Sequence, residues 1–307
     1  MDTPLDRMPY LPITDRPRIR WPNDARVAFW IAPNVEHYEY LPTFDGKRNP
    51  WPRTPYPDVQ NYSYFDYGNR VGFWRMLDVL DKHQARCTVS LSLSVLYHYP
   101  EVADAMLSRD WDFMSHGFYN TQFMNTFDEA RERAFLEDNI ATFRKHTGRS
   151  LKGFFGPSAS STERTPDLLA EYGFLYYCDF MHDDQPMPLR VKSGRLVSMP
   201  YTMDINDGAL LRAYGDSDYF LQVCKAQFDQ LYEEGAESGR VMCLALHPCW
   251  TGQPHRVRAL DQVLDYVFRH SSVWKTTAGE IAEYFLANHY TTVAGHADRL
   301  NASLGAA

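Results

Sequence analysis

The sequence predicts an α/β protein, a distorted (β/α) barrel of about seven parallel strands. Three observations predict it. Short apolar runs rich in β-branched and aromatic residues alternate with helix-length amphipathic stretches between residues 26 and 288. Polar residues recur just beyond those apolar runs, at the strand ends where parallel barrels carry their sites. No Gly-rich phosphate loop or GxGxxG motif follows the first strand, which turns the reading away from a dinucleotide fold.

The elements follow in order. Residues 1–24 hold Pro4, Pro9, Pro12, Pro17 and Pro22 and read as an extended arm over a surface. Residues 26–31 form the first strand, which runs into Asn34 and Glu36. The stretch 38–66, with five prolines, reads as a functional or interface insertion. A helix with an apolar stripe follows at 68–83, then a strand at 87–92, a helix at 100–107 and a strand at 112–114 that ends at Ser115-His116-Gly117. A helix at 127–147 is closed by Gly148, and the strand at 151–155 leads to a helix at 165–172. The strands at 174–178 and 196–200 end at Asp179 and Tyr201. A helix at 218–234 precedes the strand at 241–246, which ends at His247, and two helices cover 260–269 and 278–288. The division is an arm at 1–24, one barrel domain at 25–289 with the 38–66 insertion, and a mobile tail at 290–307.

Composition narrows the function. The 307 residues are 44% hydrophobic and 23% charged, enough for one large core, and aromatics reach 15%. A net charge of −8 without any face-sized block of Lys and Arg excludes a nucleic-acid partner. The five cysteines form no CxxC pair, against a disulfide framework or a thiolate zinc site. No apolar run approaches the roughly 20 residues of a membrane span, and the N-terminus has no secretory pattern, so a cytoplasmic protein is expected.

The chemistry is expected where strands end. Glu36, His116 and His247 come from three separate strands, and their convergence outweighs the ordinary reading of each as a hydrogen-bonded loop residue. Asp183-Asp184 and Asp204-Asn206-Asp207 read mainly as turn and cap residues, Asp204 being the exception. No GxSxG elbow surrounds Ser158, Ser160 or Ser161, so direct attack by water is the simpler route.

Several motifs then resemble a known family. Ser115-His116-Gly117-Phe118-Tyr119-Asn120, Gly153-Phe154-Phe155-Gly156-Pro157 and Leu246-His247-Pro248 are similar to the ordered motifs of polysaccharide deacetylases. The stretches 178–186, 200–207, 228–235, 264–267 and 273–274 resemble the metal-independent allantoinase branch of that superfamily, and the likeness runs over about residues 18–287. The resemblance implies the barrel, a homo-oligomer and C–N bond hydrolysis. It also exposes departures. The family's HxxxH pair reads here as His116-xxx-Asn120, its acidic pair after the first strand is replaced by Ala32-Pro33-Asn34, and its supporting Arg falls at Phe155.

The expectation is therefore a hydrolase of the C–N amide bond of a small cyclic amide, ureide or imide. Glu36 activates water, His116 assists, and His247 protonates the leaving nitrogen. Asn34, Asn120, Tyr201, Asp204 and Trp250 are the candidate substrate contacts, and no metal is expected. If one is bound, zinc on Glu36, His116 and Asn120 is the alternative. The rival functions are metal-dependent N-deacetylation of an amino sugar or peptidoglycan, and a non-catalytic binding protein on the same fold.

Overall fold

β1 (Val27–Val35) shows how the sequence builds the molecule. Its odd residues Val27, Phe29, Ile31 and Val35 pack outward against helices, while Ala28, Trp30 and Ala32 pack into the interior of a curled sheet. Strand side chains alternate faces, so a run apolar at every position is buried on both. The structure, a computed structural model, describes residues 7–42, 57 and 59–304. Among these, the further strands are β2 (Thr88–Leu91), β3 (Asp112–Ser115), β4 (Gly153–Phe154), β5 (Tyr176–Tyr177), β6 (Met187–Leu189), β7 (Leu196–Ser198), β8 (Arg240–Leu246) and β9 (Val273–Lys275). They lie in the order β6-β7-β5-β4-β3-β2-β1-β8, with β9 also on β1, and every pairing but β6 with β7 is parallel. The sheet is a half-barrel of α/β type, with nine strands rather than the expected seven. The two additions are short: β6 makes the antiparallel hairpin with β7, and β9 touches β1 over three residues.

The helices are α1 (Val59–Tyr67), α2 (Phe73–Lys82), α3 (Val95–His98), α4 (Pro100–Leu107), α5 (Glu129–Thr147), α6 (Thr165–Glu171), α7 (Asp207–Tyr214), α8 (Ser217–Glu234), α9 (Val257–Phe268) and α10 (Ala278–Asn288); α2 to α9 pack on the outer face, and α10 adds Ile281, Ala282 and Phe285 to the inner core. The expected ends of α5 hold for a local reason: Asp128 caps its first turn by accepting from the Arg131 N–H at 2.8 Å, and Gly148 leaves it at φ 68°. Between α1 and α2 the chain widens into a π-helical turn, Gly68–Gly72. Much of the 38–66 insertion, residues 43–56 and 58, lies outside the described residues, and its last part is α1.

One expectation changes, and another gains its place. Residues 290–304 are no tail but α11 (Tyr290–Leu304), whose Tyr290, Val293 and Ala297 are buried in the inner core. That i, i+3, i+7 spacing is an apolar helix face. The arm, in its described part, lies on the chain's own barrel. It follows the seam between β6 and β8, where Gly239 donates to the Ile19 carbonyl at 2.9 Å and Trp21 Nε1 donates to the Arg240 carbonyl at 2.9 Å. Among the described residues no helix is long and apolar enough to cross a membrane. The five cysteines are free and buried.

Candidate active site

Strand parity places the site. The inward series of β1, Ala28, Trp30 and Ala32, continues through Asn34 to Glu36, and that of β8, Val241, Cys243 and Ala245, continues to His247. On β3 the residue two beyond inward Met114 is His116. Register does the rest. Val35 pairs with Leu91, Leu91 with Ser115 and Ser115 with Phe154, so Glu36, His116 and Phe155 share the next layer at the C-terminal mouth.

The structure brings the three expected residues together. Glu36 Oε1 lies 3.3 Å from His116 Nε2 and 3.5 Å from His247 Nε2, and Glu36 Oε2 accepts from the Tyr38 hydroxyl at 2.9 Å. Burial alone would raise the Glu36 pKa, but the charge on His247 and hydrogen bonds from both imidazoles hold it well below the usual carboxylate range. Burial likewise opposes charge on His247, and Asp207 followed by Glu36 overcomes it, raising the imidazole from 6.5 to about 10. Near neutrality the pair is a carboxylate beside an imidazolium. A cavity of about 10 Å³, enough for one water, opens beside Glu36 between Asn34, Tyr38, Asn69 and Pro248.

Asp207 was read as a turn residue, and the structure makes it the partner of His247. Its Oδ1 is 2.6 Å from His247 Nδ1, and its Oδ2 accepts from the His247 N–H at 2.7 Å and the Thr251 hydroxyl at 2.6 Å. Asn206 is the cap the sequence suggested, taking the Gly208 N–H at 2.9 Å, and it thereby seats Asp207 in the first turn of α7, facing β8. Adjacent acidic residues in a loop carry no signal of which one turns inward.

The candidate substrate contacts fare unequally. Asn34 is buried, with Nδ2 donating to the Tyr201 hydroxyl at 2.9 Å and to the Ala32 and Leu246 carbonyls at 3.2 Å each, while its Oδ1 accepts from Tyr201 at 3.2 Å. Asn34 and Tyr201 therefore brace the barrel mouth. Asp204 is exposed and lies with His182 and Asp184 along a separate groove of about 310 Å³ that Glu36 does not line; its place in a polar turn, not at a strand end, accounts for this. Trp250 is half-buried against Tyr64 at a ring distance of 5.0 Å, with Arg256 over it. Asn120 is at the site, its Nδ2 2.6 Å from the Tyr38 hydroxyl.

His116 is held from behind. Its Nδ1 donates to the Phe155 carbonyl at 2.8 Å, and the N–H of the same peptide unit, from Gly156, donates to Asp179 Oδ1 at 2.8 Å. The Phe155 ring stacks on the imidazole with centroids 4.9 Å apart, filling the volume with an apolar ring.

Comparison with known proteins agrees with the fold. Residues 54–177 match the family model for polysaccharide deacetylase. Over that stretch the chain is similar to a polysaccharide deacetylase domain. A protein of Schizosaccharomyces pombe named "Putative polysaccharide deacetylase" is 27% identical over 298 residues, 88% of this chain and 93% of that one. The solved structure of Puue allantoinase superposes with a TM-score of 0.79 at 27% identity, covering 94% of this chain and 99% of the other. That of a "probable Polysaccharide deacetylase" from Pseudomonas aeruginosa PAO1 gives 0.78 at 27% identity, covering 90% and 96%.

The resemblance to metal-dependent deacetylases makes the donor set at this site matter. Glu36, His116 and Asn120 do not fit a metal ion. Both Glu36 oxygens are engaged by protein donors, and the one uncommitted oxygen of the set, Asn120 Oδ1, is a neutral carboxamide and a weak ligand. Among the described residues no group of three His, Cys, Asp or Glu side chains has the geometry to hold one.

Proposed function

We propose that this polysaccharide deacetylase-family hydrolase opens the C–N amide bond of a small cyclic amide, ureide or imide by direct attack of water, without a metal. One observation carries the reading: a buried carboxylate beside an imidazole that a second buried carboxylate holds in place. Such a pair supplies base and acid at the same pH.

The scheme balances. Glu36 takes a proton from water as its oxygen bonds the carbonyl carbon. The tetrahedral intermediate then collapses, the C–N bond breaks, and His247 gives its Nε2 proton to the leaving nitrogen. Glu36 Oε1 and His247 Nε2, 3.5 Å apart, then exchange the proton that restores both. His116 stands at the same carboxylate oxygen with its ring fixed by Phe155, and it orients Glu36 and the polar end of the substrate. The likeness to Puue allantoinase supports a ureide-type substrate. The relatives named deacetylases support N-deacetylation equally, and the poor metal donor set favours the first. A cytoplasmic location and a homo-oligomer belong to the same proposal.

The test is a panel of hydantoins, ureides, cyclic imides and N-acetylated sugars, assayed with and without chelator. Turnover of the ring compounds that survives chelation is expected. Glu36→Gln should then lower kcat/KM by at least ~100-fold. A loss under about tenfold, roughly 1.4 kcal/mol, would remove Glu36 from the chemistry, and activity abolished by chelator would overturn the metal-free scheme.

A further inference from the structure

Hydrogen bonds around Glu36 run in one direction only. The ionised carboxylate can only accept, so the single proton of the Tyr38 hydroxyl lies on the 2.9 Å bond to Oε2. The Tyr38 oxygen then meets Asn120, 2.6 Å away, with a lone pair, and Asn120 must present Nδ2 to it. Turning the carboxamide over would set two acceptors against each other. The main chain holds the residue as well, the Asn120 N–H donating to the His37 carbonyl at 2.9 Å. The planar amide therefore directs Oδ1 away from Tyr38. That oxygen is buried, in a residue only 5% exposed, and has no hydrogen-bond partner among the described residues. A buried acceptor left without a donor is unfavourable, and the chemistry beside it handles amides.

We infer that Asn120 Oδ1 receives a substrate N–H, so that the site selects amide, imide and ureide nitrogens that still carry a hydrogen over N-alkylated ones. The inference rests on the hydrolytic reading above and adds the state of the substrate nitrogen to it. It also gives a direction to Asn120, which the sequence offers only as a candidate substrate contact: its donor is already taken by Tyr38, and its acceptor is the group on offer. A methyl group on that nitrogen brings bulk and no proton to Oδ1. Sites built to bond an N–H discriminate strongly against analogues that lack it.

The experiment compares cyclic imides and hydantoins with their N-methyl counterparts on the wild-type enzyme and on Asn120→Leu, which keeps the shape and removes the acceptor together with the donor to Tyr38. Wild type should favour the N–H member by ~30-fold or more in kcat/KM. In Asn120→Leu the N–H member should lose ~10- to 100-fold more than the N-methyl member, so that the preference collapses whatever both members lose with the Tyr38 contact. Equal turnover of both members by wild type overturns the inference without any variant, and so does an equal loss of both in Asn120→Leu. If no ring compound is hydrolysed, the hydrolytic reading fails, and thermal shifts with the same ligand pairs decide Asn120 separately. A larger shift with the N–H member in wild type, absent in Asn120→Leu, upholds recognition; indistinguishable shifts overturn it.

Discussion

His247 is useful as an acid only because of what Asp207 does to it. Burial would keep the imidazole neutral, and the carboxylates of Asp207 and Glu36 hold it protonated up to about 10. The acid form therefore persists through neutral pH, and kcat/KM should stay flat there and fall as pH rises through about 10. Asp207→Asn removes the larger of the two attractions, so the alkaline fall should move towards neutrality, and activity near pH 9 should drop by ~10-fold or more. A pH profile of kcat/KM for the two enzymes checks this; an unmoved alkaline limb would mean that Asp207 only shapes the loop. The same shift has a stability consequence. The folded pKa lies above the ordinary 6.5, so this stabilisation is complete below about 6.5 and is lost as pH rises through about 10. Glu36, His116 and His247 were legible because each ends an apolar run. Asp207 was not, since only the cap made by Asn206 decides which of several neighbouring carboxylates faces the strand.

The π-helical turn Gly68–Gly72 positions both halves of the site. Asn69 Nδ2 donates to the Glu36 carbonyl at 2.8 Å, while Gly68 and Gly72 lie against the segment just beyond His247. A Cβ on Gly72 would come within 2.0 Å of the Pro248 carbonyl oxygen, which is backbone and has little room to give. Gly72→Ala should therefore cost about 2 kcal/mol of stability and lower kcat more than it raises KM, because the Pro248 segment carries His247. Denaturant unfolding with steady-state kinetics tests both halves, and wild-type values in each would show that the turn is not in the tight contact described. The sequence marks a helix across 68–83 correctly by its apolar stripe, yet the widened turn has no such stripe: it arises from where Pro248 and Gly252 lie, far along the chain. α11 is the opposite case, its spacing of Tyr290, Val293 and Ala297 being readable and its burial on the inner core following from it.

At the scale of the molecule, the parallel sheet is implied by strand–helix alternation, which favours parallel strands with short connections. What alternation leaves open is how the curled sheet is closed, because β6 and β8 share no ladder. Side chains and the arm do this work. Val241 donates to the Asp184 carbonyl at 2.8 Å, and Gln185 Nε2 donates to the Gly239 carbonyl at 2.7 Å. Arg16, whose side chain is 8% exposed, donates to Asp183 at 2.8 Å and to Gln185 at 3.2 Å, tying the arm to both. Proline spacing announced an arm but not its berth, since the partners of Arg16 lie some 170 residues away and come together only when the sheet curls. Removing one member of such a sheltered pair leaves the other charge uncompensated, so Arg16→Ala should lose about 3 kcal/mol. The loss should concentrate at the seam: amide exchange at Val241 should accelerate while β2 and β3, in the middle of the sheet, keep their protection. Uniform acceleration would instead place Arg16 in the general stability of the fold, and unchanged exchange would show that the seam closes without the arm.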